Sequence, residues 1–199
     1  MSERGTNGPG HAEDLLMFAA KYKCDFIAIQ QTRRDGRTII QAPAAGYVVH
    51  RSGHCDGDGG KPGILGVCLA VKKSITPALG PDGIVPEHIS ARLLKVRVIF
   101  NHRAVTTFIV GYAPTETEAT CHKSKYWKEL RSTVAEVPAS DHLILMMGAN
   151  VRTGGREEGG GLGGVRVLGP YGRDTLNDNG PRLLSCSAEH KLSIVNTLF

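Results

Sequence analysis

The chain has 199 residues and a formal charge of +5, set by 24 Lys and Arg against 19 Asp and Glu. That length suits one domain with a core of its own, and the positive balance makes phosphate-bearing partners plausible without naming one. The five cysteines form no C-x-x-C pair, which argues against a disulfide framework or a zinc site and fits a reducing, intracellular compartment. No apolar run of ~18 residues occurs and the first sixteen residues hold no apolar h-region, so neither a transmembrane helix nor a secretory signal is expected.

In chain order, residues 1–11 are polar, rich in glycine and without periodicity, and read as a disordered segment ahead of one domain over 12–199. "EDLLMFAAKYK" sets Leu15, Leu16, Ala19 and Ala20 on one helical face. "CDFIAIQQT" follows as a short apolar strand and "GYVVHRSG" as a second. "CDGDGGKPG" is a Gly- and Asp-rich loop before a third strand, "ILGVCLAVKK", apolar almost throughout, as a strand covered on both faces should be. "ARLLKVRVIF" alternates Leu94, Val96, Val98 and Phe100 with basic residues and predicts a half-buried strand. "AVTTFIVGYAPT" is another strand, ending at a proline turn. "CHKSKYWKELRSTVAEV" predicts a helix with Trp127, Leu130 and Val134 on one side, and "HLILMMGAN" a central strand. The glycines of residues 154–180 predict a long loop, followed by a helix over about 181–190 and a last strand, "LSIVNTLF". Strands with few helices between them predict a layered α/β sandwich with a mixed sheet.

Four polar stretches sit at predicted strand ends or in the loops after them: "IQQT" (29–32), "GYAPTE" (111–116), "MGANVRTG" (147–154) and "GRDTLNDNG" (172–180). Singly, each reads as an ordinary strand terminus, a proline turn, a glycine turn with an Asn cap, or an Asx-turn before a helix. In this order and spacing they resemble the endonuclease/exonuclease/phosphatase superfamily, and within it the endonuclease domains of non-LTR retrotransposons and the craniofacial development protein 2-like proteins. In that group the first motif usually reads I-Q-E-T, the second Y-A-P-T or Y-A-P-N, and the third G-D-x-N-A or M-D-A-N-A-R-T-G. The likeness runs from Asp25 to Phe199.

The resemblance implies a deoxyribonuclease-I-like four-layer α/β/β/α sandwich with two mixed sheets, here partial at both ends, and a divalent-metal-dependent phosphodiesterase or endonuclease acting on DNA with Mg2+. Such hydrolysis wants a hard cation held by carboxylates and an oriented water. By the resemblance Tyr112 and Asn150 take the phosphate-contacting positions. Gln31 stands where the family's metal-binding Glu belongs, and Gly148 where its catalytic Asp belongs. A glutamine carbonyl brings no charge to a cation and glycine brings no side chain. Three functions follow as expectations: a nuclease, a catalytically impaired retrotransposon-derived remnant, or a binding module on the same scaffold for nucleic acid or protein. Arg33, Arg34, Arg152, Arg156 and Arg173 near the motifs suit weak, sequence-independent DNA contacts, or form a solvated surface. Such a partner is in keeping with the nucleus. Asp56, Asp58, Asp174 and Asp178 do not follow the calcium-loop spacing and read as solvated turn carboxylates, and His142 and His190 as surface or packing residues.

Overall fold

The computed structural model describes residues 11–42, 45–55, 63–101, 104–154, 167–171 and 175–198. The chain divides into two compact units: residues 1–112 with 137–148, and residues 113–136 with 149–199.

The first unit opens with helix α1 (His11–Ala20) and strands β1 (Phe26–Gln30), β2 (Arg37–Ala42), β3 (Tyr47–Ser52) and β4 (Val67–Lys72). These form an antiparallel sheet in the order β1-β4-β3-β2. Strands β5 (Leu79–Ser90), β6 (Leu93–Phe100), β7 (Val105–Tyr112) and β8 (His142–Gly148) form a second sheet in that order. Its pairs are antiparallel except β7 with β8, which run parallel. The second sheet is thus mixed, as the pattern predicted, because β8 returns to β7 only after a long crossover.

Side-chain alternation decides the layering. Ile27, Ile29, Tyr47, Val49, Cys68 and Ala70 project from one face of the first sheet and pack with Leu16 and Ala19 of α1. Ala28, Val67, Leu69 and Val71 project from the other face and meet Leu94, Val96, Val98, Phe108 and Val110 of the second sheet. β4 supplies both clusters and is buried from Val67 to Val71, which explains its unbroken apolar run.

Two polar features interrupt this core. On β3, Tyr47 and Val49 belong to the α1 side, so His50 points between the sheets, opposite Leu69 of the core. His88 of β5 lies opposite Leu94 and points into the same layer. His50 is 4% exposed, and among the described residues neither of its ring nitrogens has a hydrogen-bond partner. Nearby, the Ser52 hydroxyl donates to the Ser90 carbonyl at 2.9 Å. At the entry to β8, Asp141 accepts two hydrogen bonds from the Arg97 guanidinium, at 2.9 and 3.1 Å, and one from Thr107 at 2.7 Å.

Two strands carry no sequence signal. β2 is exposed along most of its length and β5 holds Pro81 and Pro86. Each stands at the end of its sheet's strand order, where a missing N–H costs no ladder bond and alternation is not enforced.

The second unit holds helices α2 (Thr120–Ala135) and α3 (Asn179–Glu189). In α2 the buried residues include Tyr126, Trp127, Leu130 and Val134. Leu184 of α3 packs with Val167 and Leu168. The last strand expected from "LSIVNTLF" is a short 3-10 turn at Val195–Thr197, preceded by a single bridge from Ile194 to Leu168. The Thr197 hydroxyl donates to the Ile194 carbonyl at 2.6 Å and accepts from the Gly169 N–H at 2.7 Å, and these local bonds close the turn in place of a ladder. The expected disordered segment 1–11 falls outside the described residues except for His11, which begins α1.

Candidate functional site

β1 ends at Gln30, and the chain then takes two residues into the left-handed region: Gln31 at φ 57° and Arg33 at φ 51°. Such values are uncommon for residues other than glycine. Between them Thr32 is buried, and its N–H donates to the Gly66 carbonyl at 3.0 Å. A Cβ on Gly66 would fall 2.2 Å from the Thr32 hydroxyl, so only glycine lets the two segments approach.

The twist turns Gln31 toward the end of β7. Its side-chain amide donates to the Tyr112 hydroxyl. Tyr112 is fixed from its other side: its N–H donates to the Arg92 carbonyl at 2.9 Å, its own carbonyl accepts from Arg92 Nη1 at 3.3 Å, and the Arg92 guanidinium lies 5.7 Å from its ring centroid. Gly148, last residue of β8, is the register partner of Tyr112. A Cβ built on Gly148 would meet Tyr112 Cδ2 at 3.2 Å and Gln30 Cγ at 3.7 Å. The tyrosine ring thus leans into the space that a side chain at 148 would need. Three of the positions singled out in the sequence, Gln31, Tyr112 and Gly148, come together at one corner of the first unit.

Asn150 belongs to the second unit and has its own framework there. It is exposed, sits at φ 48°, and its amide nitrogen donates to the Ala113 carbonyl at 2.7 Å. Its carbonyl accepts from Asn177 Nδ2 at 2.9 Å and Asn179 Nδ2 at 3.3 Å. Asn179 is fully buried; it also donates to the Pro114 carbonyl at 2.8 Å and accepts from the Trp127 indole at 2.9 Å. Asn177 Oδ1 accepts from the N–H groups of Arg152 and Gly180, at 3.0 and 3.1 Å. Lys123 is buried, donating to the Glu116 carbonyl at 2.8 Å and pairing with Asp178 at 3.2 Å. The Lys123 hydrogen bond holds the Asp178 carboxyl below its ordinary range, with Arg182 adding to it. Asn177, Asn179, Trp127 and Lys123 were not among the expected site residues. The "NDNG" stretch has the composition of a turn, and sequence spacing gives no hint that Asn179 reaches Trp127.

Arg33, Arg34 and Arg152 are exposed. Arg156, Arg173, Asp56, Asp58 and Asp174 lie outside the described residues.

The corner at Gln31 does not fit a magnesium ion. That ion takes anionic oxygens and waters, whereas the groups here are an amide committed to a phenol, the phenol, and a glycine. Among the described residues, no group of three or more His, Cys, Asp or Glu side chains is placed to hold a metal.

No family model and no curated protein matches the sequence. Solved structures are similar in fold. AP endonuclease LMAP from Leishmania major superposes with a TM-score of 0.59 at 13% identity, covering 96% of this chain and 64% of that one. A humanized D. rerio TDP2 carrying 14 mutations superposes with a TM-score of 0.52 at 16% identity, covering 83% of this chain and 70% of that one. At these identities the likeness is one of fold: the chain is built as a deoxyribonuclease-I-like α/β sandwich.

Proposed function

We propose that this chain is a catalytically silent member of a divalent-metal-dependent phosphodiesterase lineage, of retrotransposon origin, that keeps the scaffold and has lost the metal chemistry. The observation that carries this is the Gln31–Tyr112 hydrogen bond beside Gly148. The position of the metal-binding carboxylate is a neutral amide occupied with the phosphate-contacting phenol. The position of the catalytic carboxylate is a glycine whose missing side chain the tyrosine ring overhangs. Without a carboxylate the site has neither the charge to retain a dication nor a base to orient water, and loss of one such group alone costs a factor of ~10² or more.

The exposed Arg33, Arg34 and Arg152 favour a second property, weak contact with DNA phosphates inside the cell, nucleus included.

The test is plasmid nicking in Mg2+ by the unaltered chain, Gln31→Glu, Gly148→Asp and the double variant. The unaltered chain is expected to leave the plasmid supercoiled. Nicking by the unaltered chain that a chelator and Asn150→Ala both abolish would overturn the proposal.

A further inference from the structure

In the second unit, a cleft of about 250 Å³ opens along α2 and α3, lined by Ser124, Trp127, Lys128, Arg131, Ser132 and Arg182. Ser124, Lys128, Arg131 and Ser132 recur at helical spacing and form one face of α2, while Arg182 comes from α3. Three of the six lining side chains are cationic, two carry hydroxyls, and the sixth is an indole. None of them belongs to the motifs at the strand ends.

Both arginines are held in place but not saturated. Arg182 Nη1 donates to Ser124 Oγ at 3.3 Å, and Arg131 Nη2 donates to Ser185 Oγ at 2.9 Å. Their Nε atoms are buried and have no hydrogen-bond partner among the described residues. The nearest carboxylates, Asp178 to Arg182 and Glu189 to Arg131, each stand 3.6 Å away, close enough to balance charge but too far to accept a good hydrogen bond. Lys128 is exposed and forms no ion pair among the described residues. The cleft therefore carries about one net positive charge among the described residues. Cations lining a cleft with that surplus attract an anion, and charge-assisted hydrogen bonds from their accessible N–H groups are the strong ones.

We infer that this cleft is a binding site for a phosphorylated serine or threonine side chain of a partner protein. Size and shape choose the group. The volume is below the ~300 Å³ where drug-sized pockets begin, so it takes one side-chain head and not a whole ligand. Two guanidinium forks, an ammonium and two hydroxyls match the three oxygens and near-double charge of a phosphate monoester. The surroundings choose polypeptide over nucleic acid. Single strands are bound by stacking bases on open aromatic faces, and Trp127 and its neighbour Tyr126 are 3% and 2% exposed, so the cleft presents no such platform. Arginine clusters reading a phosphorylated side chain are a recurrent mode of peptide recognition.

Trp127 is the chain's single tryptophan, so its indole N–H gives one unambiguous NMR resonance at the cleft. The experiment titrates the intact chain with a Gly-phosphoserine-Gly peptide, its unphosphorylated twin, and a terminally phosphorylated oligothymidylate. A saturable shift of the indole and the α2 amides is expected with the phosphopeptide alone. Arg182→Gln should weaken it about tenfold and Lys128→Gln about threefold. Lys128 is exposed, so its variant decides the matter even if Arg182→Gln unfolds. No saturable shift, an equal response to the unphosphorylated twin, or an affinity unchanged in Lys128→Gln would each overturn the inference. A response to the oligonucleotide alone would overturn it in favour of a nucleic-acid terminus. Because the readout needs neither DNA cleavage nor metal, failure here leaves the silent-nuclease proposal untouched, and nicking activity would leave this inference untouched.

Discussion

The Gln31 amide donates to the hydroxyl of Tyr112, and the ring of the same tyrosine stands 3.2 Å from where a Cβ on Gly148 would be. One residue thus links the two positions that the resemblance gives to carboxylates. Gly148→Asp must push the ring aside, and overpacking of this kind costs about 1–3 kcal/mol. Urea denaturation should show Gly148→Asp destabilised, Gly148→Ala less so, and the penalty largely gone when Tyr112→Ala is combined with it. Strictly additive effects in that cycle would mean the ring does not control the site.

Asn179 is the most demanding residue of the second unit, since it is fully buried while serving the Trp127 indole and the Pro114 carbonyl. Asn179→Ala strands both groups and should cost about 2–4 kcal/mol. Asn179→Asp keeps the acceptor for the indole and loses the donor, so it should retain a native-like indole resonance in a less stable protein. Equal stability of all three chains by thermal denaturation would contradict this account.

The inter-sheet histidines make stability depend on mildly acidic pH. Burial pushes the His50 imidazole below its ordinary value of 6.5, with His88 facing it. Burial lowers His88 too, with Arg37 adding to the effect. Because the folded protein resists the protons that the unfolded chain accepts, this contribution is complete above 6.5 and declines as pH falls from there through the lower folded values. His50→Phe should flatten the dependence of the urea midpoint on pH in that window. An unchanged slope would show that the pair does not titrate on unfolding.

Asp141 acts at lower pH. The Arg97 hydrogen bond holds its carboxyl below the ordinary 3.8, with Thr107 contributing and burial opposing. Its stabilisation is present above 3.8 and lost as pH falls through the depressed folded value. Asp141→Asn should therefore lower stability at neutral pH and lose less on acidification. A variant that tracks the parent across the acid range would remove Asp141 from the account.

DNA contact through Arg33, Arg34 and Arg152 should be weak, indifferent to sequence and steeply weakened by salt, because it rests on counterion release. Fluorescence anisotropy at two salt concentrations checks this, and tight salt-insensitive binding would point to base readout instead.

Much of this was legible in the residues, and the exceptions have physical reasons. α1, α2 and the inner strands announce themselves because each buries one face against a partner and so must alternate or repeat, or, in β4, buries both and runs apolar throughout. β2 escapes notice because an exposed edge strand has no buried face to enforce a pattern, and β5 because its prolines and glycines resemble a loop. "LSIVNTLF" misleads in the opposite direction: it is apolar enough for a strand, but the Thr197 hydroxyl closes a turn. At the site, the order of the motifs brought Gln31, Tyr112 and Gly148 into one group, since strand ends in a sandwich meet. The tie from Asn179 to Trp127 spans 52 residues of chain and leaves no local trace.

The return of β8 to the first unit has a consequence for synthesis. Residues 137–148 complete a sheet begun before α2, so no single cut separates the two units. On the ribosome, β7 is finished at Tyr112, yet its parallel neighbour does not exist until translation has passed Gly148. Over that interval an apolar edge, with Phe108 and Val110 beside it, is open to any other nascent strand. A chain stopped after Glu136 is left in that state permanently. Such a product should depend on chaperones and accumulate in the insoluble fraction.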